Sequence, residues 1–268
     1  VLNIPSPNDP TAAVNITSFT NDSDTFLVEW SSVNGNCVTL RDTVEVIFHD
    51  NPTVSAAGGD IDICADTAQM NANTPAVGSG VWAQVSGTGS VSFDDPTNPN
   101  TIVRAPAFAG DSSVFVLRWR ISNGNCANSD DNVQVVFFAD PTVADAGTDD
   151  SVCALTYTLD GNFDAIGSGQ WSEVSGPGTS AFTDNSLFNT DVSVTAYGIY
   201  LFEWAIFNGP CVVERDTVQI RFDEFPSSAI AGVDDTICDL TYTLAANNPA
   251  VGNGVWTVTS LPSVTAMA

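Results

Sequence analysis

The chain has 268 residues, with 32 acidic side chains against six basic ones, all six of them arginine, for a formal net charge of −26. Such a surface repels phosphate, which excludes nucleic acid and anionic lipid as electrostatic partners. Hydrophobic residues make up 43%, too many for a disordered acidic tail, and no window approaches the roughly 18 consecutive apolar residues of a spanning helix, so the sequence reads as a folded protein without membrane insertion. No basic, apolar leader opens it, and the compartment has to be read from the cysteines.

The landmarks repeat. Cysteines fall at 37, 64, 126, 153, 211 and 238, so equivalent cysteines are 89 and then 85 residues apart. Cys64 to Trp82, Cys153 to Trp171 and Cys238 to Trp256 are each 18 residues, while Trp30 to Cys37, Trp119 to Cys126 and Trp204 to Cys211 are each seven. A fixed period of this length is the signature of an array of similar units. Pro-containing joints at Asn51-Pro52, Asp140-Pro141 and Phe225-Pro226 mark the boundaries and leave almost no linker. Short joints of this kind favour a semi-rigid rod over beads on a flexible string.

In chain order, residues 1–52 read as the C-terminal part of one module, closing on Trp30 and Asn34-Gly35-Asn36-Cys37. Residues 53–141 form a complete module. It opens on Ala57-Gly58 before Cys64, continues through Gly78-Ser79-Gly80 and Trp82, and closes on Asn123-Gly124-Asn125-Cys126. Its apolar residues alternate, as in Val114-Phe115-Val116-Leu117-Arg118-Trp119, which is strand periodicity; no stretch joins a helix start, an apolar stripe and a stop. Residues 142–226 repeat the pattern, with strands expected at 151–153, 156–160, 169–174, 180–183, 191–195, 199–207 and 214–222, and Trp171 and Trp204 on facing strands. Residues 227–268 read as the N-terminal part of another module. Ile4 and Met267 both align with Phe93, so the chain reads as a window of about three periods cut from a longer array. The alternative is that the half-modules at its two ends pair head to tail with neighbouring chains. The class is all-β, with tandem immunoglobulin-like sandwiches of about 85–89 residues arranged as a rod or fibre.

Two cysteines per complete module imply disulfides, hence an extracellular, secreted or cell-surface protein. Pairing within a module, Cys64 with Cys126 and Cys153 with Cys211, would close loops of about 60 residues, each contributing roughly 4 kcal/mol on the loop-entropy model; Cys37 and Cys238 would then pair outside the chain. If the first cysteine sits at the first corner of a module and the second in its last hairpin, the two lie at opposite ends, and Cys64 reaches Cys211 of the following module instead. Metal ligation by the cysteines fails for want of a C-x-x-C spacing.

The ordered set of Ala-Gly-x-Asp before Cys, Gly-x-Gly-x-Trp, Ser-Gly-x-Gly, Phe- or Tyr-x-Phe-x-Trp, Asn-Gly-x-Cys and Asp-x-Val-x-Val/Ile-x-Phe resembles the PKD-like and Ig-like repeats of giant Bacteroidetes surface proteins, over the whole chain. The resemblance implies adhesins or surface fibres, some of them serving gliding motility. It also implies O-glycosylation at Asp followed by Ser or Thr and an apolar residue, with acceptors at Thr43, Thr67, Ser151, Thr217 and Thr236; an alternating strand writes the same triplet with no sugar involved.

No catalytic constellation is present. The lone His49 lies in a joint, the Gly-x-Gly elements precede strands and lack a following lysine, and the acidic pairs Asp94-Asp95, Asp130-Asp131, Asp149-Asp150 and Asp234-Asp235 are too common to single out a glycosidase. The chain therefore reads as a non-enzyme with no cofactor. Asp149 and Asp234, at equivalent positions near the joints, are candidate calcium ligands against the alternative of solvated turns. The expected function is a structural and adhesive one, a surface fibre or adhesin stalk whose partners are neighbouring repeats, copies of itself or surface glycans. The alternative is a glycan-binding or spacer region of a secreted polysaccharide-degrading enzyme.

Overall fold

The computed structural model describes residues 1–107 and 110–259; Met267, and with it the alignment to Phe93, lies outside them. All regular structure among the described residues is β, and none of them forms a helix. The chain divides into two compact units, Val1–Pro141 with Asn208–Val212, and Thr142–Phe207 with Val213–Ala268.

The first unit opens with the short pair β1 (Leu2–Asn3) and β2 (Asn15–Ile16), then the long hairpin β3 (Ser23–Ser32) and β4 (Leu40–His49), in register from Ser23 opposite His49 to Ser32 opposite Leu40. A seven-stranded sandwich follows: β5 (Ile61–Ile63), β6 (Thr67–Gln69), β7 (Ser79–Gly87), β8 (Ser92–Phe93), β9 (Ile102–Arg104), β10 (Ser112–Ser122) and β11 (Ser129–Phe138). One sheet has the order β5-β11-β10-β7 and the other β6-β9-β8; β5 runs parallel to β11 and the other pairs are antiparallel. Alternation along β10 and β11 sends Phe115, Leu117, Trp119, Ile121, Val133, Val135 and Phe137 inward, onto Ala68 and Val103 of the other sheet and Met70 just after β6. Each such side chain contributes about 1.5–3 kcal/mol by leaving water.

The second unit repeats the topology with β12 (Asp150–Val152), β13 (Thr156–Asp160), β14 (Ser168–Ser175), β15 (Ser180–Phe182), β16 (Asn189–Val194), β17 (Gly198–Phe207) and β18 (Glu214–Phe222). Its sheets are β12-β18-β17-β14 and β13-β16-β15, again with the first strand parallel to the last. Every strand end falls within two residues of its expected place. The tryptophans depart from expectation in one respect. Trp171 and Trp204 are direct cross-strand partners in one sheet, with ring centroids 5.1 Å apart, and Trp82 and Trp119 repeat the arrangement at 5.2 Å. The second glycine of Gly-x-Gly-x-Trp explains why the pair fits: a Cβ on Gly80 would lie 2.0 Å from Cζ2 of Trp119, and one on Gly169 2.1 Å from Cζ2 of Trp204.

Other signature residues hold the first strand of a module to its last. Asp60 Oδ1 accepts the Gln134 amide and Asp149 Oδ1 the Gln219 amide, at 2.8 and 2.9 Å. In the reverse direction Asp131 and Asp216 accept the amides of Ala57 and Ala146. Asn73, Asn162 and Asn247 each clamp the opening segment of a module with three bonds: a side-chain oxygen on one amide, a side-chain nitrogen on a carbonyl, and a backbone amide on a second carbonyl. Residues 227–259 carry the third of these clamps without any assigned strand.

Candidate functional site

The side chains with the most demanding geometry sit at the Asn-Gly-x-Cys tips. At Asn34–Cys37, Asn123–Cys126 and Asn208–Cys211 the cysteine amide donates to the asparagine carbonyl at 3.0–3.1 Å, and the glycine has φ near +52°. A positive φ at the second turn position followed by a negative one at the third is the pattern of a type II′ turn, in which glycine is at home. The turn frees the asparagine side chain to point outward. Asn123 Nδ2 donates to the carbonyls of Asp22 and Asp50 at 2.7 and 2.9 Å; within the same first unit, Asn208 Nδ2 donates to those of Asp111 and Ala139 at 2.9 and 2.7 Å. Asp22 and Asp111 are equivalent by the repeat, as are Asp50 and Ala139, so one device is built twice. Asp22 also accepts the Gly78 amide at 2.9 Å.

The cysteine of the tip completes the device. Cys211 forms a disulfide with Cys64, Cα to Cα 5.0 Å, across 147 residues of sequence. The within-module pairs Cys64 with Cys126 and Cys153 with Cys211 are therefore replaced by the alternative pairing, and the strand register gives the reason. Ile63, just before Cys64, is level with Phe137 near the end of β11, while Cys126 precedes its start. Some ten residues of strand, about 30 Å, separate the two, and a disulfide spans a Cα separation of about 4.4–6.8 Å. Cys37, Cys126, Cys153 and Cys238 are free thiols in this structure. Cys126 nevertheless occupies the place that Cys211 has, its Sγ 3.4 Å from Asp50 O where Cys211 Sγ is 3.2 Å from Ala139 O.

The remaining candidates are placed as follows. Asp149 is committed to the Gln219 amide, and neither it nor Asp234 joins a cluster of three ligand-bearing side chains among the described residues; the group that does so is Cys64, Asp140 and Cys211, whose sulfurs are bonded to each other. Thr43, Ser151, Thr217 and Thr236 are exposed and Thr67 is half-buried. The aspartates of these triplets have local work: Asp216 accepts the Ala146 amide and Asp150 the Tyr157 hydroxyl. Arg104 and Arg120 bind Asp94 and Asp130 in bidentate fashion, which accounts for half of two acidic pairs. His49 lies over Gly124, in the place that Phe138 takes over Gly209. Trp82, Trp119, Trp171 and Trp204 are buried and offer no ring face to a sugar.

Sequence reasoning read Asn-Gly-x-Cys as a hairpin signal and missed the asparagine as a plug. The repeat of Asp22 and Asp50 by Asp111 and Ala139 holds no clue, because the acceptors are backbone carbonyls, which any residue supplies.

No protein-family model and no curated protein matches this sequence. Among solved structures the chain is similar to a protocadherin gammaB7 EC3-6 cis-dimer structure, at 13% identity over 75% of this chain and TM-score 0.31. It spans 60% of that chain's length. It is similar also to mouse cadherin-23 EC22-24, at 14% identity over 66% of this chain and 67% of that one, TM-score 0.31. A further likeness is to an endo-fucoidan hydrolase from glycoside hydrolase family 107, at 13% identity over 74% and 34%, TM-score 0.25. Likenesses this distant carry no weight for function, and the immunoglobulin-like fold is read from the strand order itself.

Proposed function

We propose that this chain is part of an extracellular structural and adhesive repeat protein, a surface fibre or the stalk of a large adhesin of the Bacteroidetes type, without catalytic activity. The observation that carries the reading is the tip device built twice within the first unit: Asn123 and Asn208 each donate to two backbone carbonyls, and Cys211 is bonded to Cys64. Two hydrogen bonds, a close-packed glycine and a covalent bond hold such a tip down, which suits a stiff spacer better than a flexible linker. The bridge itself belongs to an oxidising compartment. The acidic surface keeps such arrays apart from each other and from anionic lipid.

Electron micrographs of the purified, oxidised chain beside a Cys64→Ser variant test the reading. Regular elongated particles that become bent or irregular in the variant are expected. Particles of the same compact outline in both would overturn it.

A further inference from the structure

We propose that Asp140 guards the Cys64–Cys211 bridge against anionic thiols, making it a redox latch that glutathione opens slowly and a thiol with a positive charge opens readily. The proposal rests on the reading of the chain as a stiff extracellular spacer and adds the class of reductant that releases it.

Cys64 Sγ, Cys211 Sγ and a carboxylate oxygen of Asp140 lie within 4.8 Å of one another. Asp140 Oδ1 is 3.3 Å from Cys64 Sγ, and because a disulfide sulfur has no proton to donate, the carboxylate faces it as a bare negative charge. No arginine offsets that charge: all six are paired with other carboxylates, and the chain has no lysine. The repeat places Asn51 where Asp140 stands, so the Pro-containing joint accepts asparagine at this position as well. The two sulfurs differ in access. Cys211 is 7% exposed, held under a tip that Asn208 fastens to the carbonyls of Asp111 and Ala139, whereas Cys64 is half-buried. An attacking thiol therefore meets Cys64 first, at the sulfur that the carboxylate faces.

Reduction starts when a glutathione thiolate bonds to Cys64 Sγ. The Sγ–Sγ bond breaks, and Cys211 leaves as a thiolate that takes a proton from water. A second glutathione thiolate then displaces Cys64, which is protonated in turn, and oxidised glutathione departs, so two electrons pass from two glutathiones to the bridge. Asp140 opposes the first approach, because glutathione brings two carboxylates and a thiolate against one ammonium. Cysteamine, whose ammonium balances its thiolate, escapes most of that repulsion. Between unit charges in near contact at a protein surface, the repulsion amounts to about tenfold in rate. The Cys211 thiolate is expelled 3.2 Å from the Ala139 oxygen, which slows its departure whichever thiol attacks. Once open, the latch leaves the tip on the bonds of Asn208, and residues 65–210, with β6 to β17 and both tryptophan pairs, lose their covalent closure.

The test is the rate at which the bridge of the oxidised 268-residue chain opens in glutathione or in cysteamine, compared at equal thiolate concentration, with alkylation and peptide mapping of the products. Salt of about 1 M suppresses the long-range repulsion of the acidic chain and leaves that between groups in contact. Cysteamine is expected to open the wild-type bridge about tenfold faster than glutathione, and Asp140→Asn to remove most of that difference by speeding glutathione. The first mixed disulfide is expected on Cys64. The ratio of the two rates separates a lost charge from a loosened fold, which would speed both thiols alike. An unchanged ratio in Asp140→Asn, or a first mixed disulfide on Cys211, overturns the proposal and leaves the spacer reading standing. Failure to recover the peptide linking Cys64 to Cys211 from the oxidised chain removes both.

Discussion

A Cβ on Gly209 would lie 2.3 Å from Cε1 of Phe138, and one on Gly124 at the same distance from Cε1 of His49. Both glycines also have φ of +52°, so alanine meets strain and a collision together. Gly209→Ala is expected to cost the joint about 1–3 kcal/mol. Hydrogen exchange at the Cys211 amide reads the effect, which should be large there and absent at the Cys37 amide.

Asn208→Ala removes a side chain that satisfies two carbonyls at once, those of Asp111 and Ala139. The cost of leaving such groups without a donor is about 1–3 kcal/mol. Asn208→Asp is expected to be worse, because a carboxylate accepts and cannot donate to a carbonyl. Thermal unfolding of the two variants with the disulfide intact gives the order directly.

Reduction of Cys64 and Cys211 opens a loop of 147 residues, for which the loop-entropy model gives about 5 kcal/mol. Cys64→Ser should lower the denaturant midpoint and expose residues 208–212 to proteolysis. The other four cysteines serve as internal controls, since serine at Cys37 or Cys153 should leave the midpoint of the single chain unchanged.

Gly80→Ala and Gly169→Ala place a methyl within 2.1 Å of an indole ring. Overpacking of that kind costs about 1–3 kcal/mol or more. Near-ultraviolet circular dichroism, which reports the paired tryptophans, should lose intensity in each variant while the far-ultraviolet β signal persists.

Acid should destabilise the chain by a defined route. Hydrogen bonds from the Thr97 hydroxyl and amide hold Asp95 below the ordinary carboxylate range, the Ser186 hydroxyl and amide do the same for Asp184, and the Arg120 guanidinium lowers Asp130. Each folded value lies below the unfolded one, so the stabilisation is present at neutral pH and is lost as pH falls through the carboxylate range, below about 4. Protonation also relieves the general repulsion, a term that high salt suppresses. Melting temperatures between about pH 5 and 2 in high salt should therefore fall, and less steeply for an Asp95→Asn, Asp184→Asn double variant.

The strands were legible in the sequence because inward residues such as Phe115, Leu117 and Trp119 alternate without interruption, and because glycine pairs bracket Trp82 and Trp171. The strand ends followed from the same turns. The disulfide was legible only as a choice between two pairings, since cysteine spacing carries no distance; the parallel register of β5 on β11 decides it. Asn208 and Asn123 gave no signal beyond a turn, because what they bind is main chain. Asp149 recurs as Asp60 and Asp234, and Asp60 and Asp149 each accept one strand amide, a role that a repeated sequence does not reveal.

The parallel pairing of β5 with β11, and of β12 with β18, has a mechanical consequence. When a chain whose Cys64–Cys211 bond has been reduced is stretched, so that residues 65–210 come under load, tension pulls the first strand of a module one way and the last strand the other. Two neighbours that run in the same direction then slide lengthwise, and the bonds between them resist as a set and give way together, whereas an antiparallel hairpin pulled at its open end unzips one bond at a time. Each module thus meets a pulling force with its strongest arrangement, at the very strands through which the force enters and leaves.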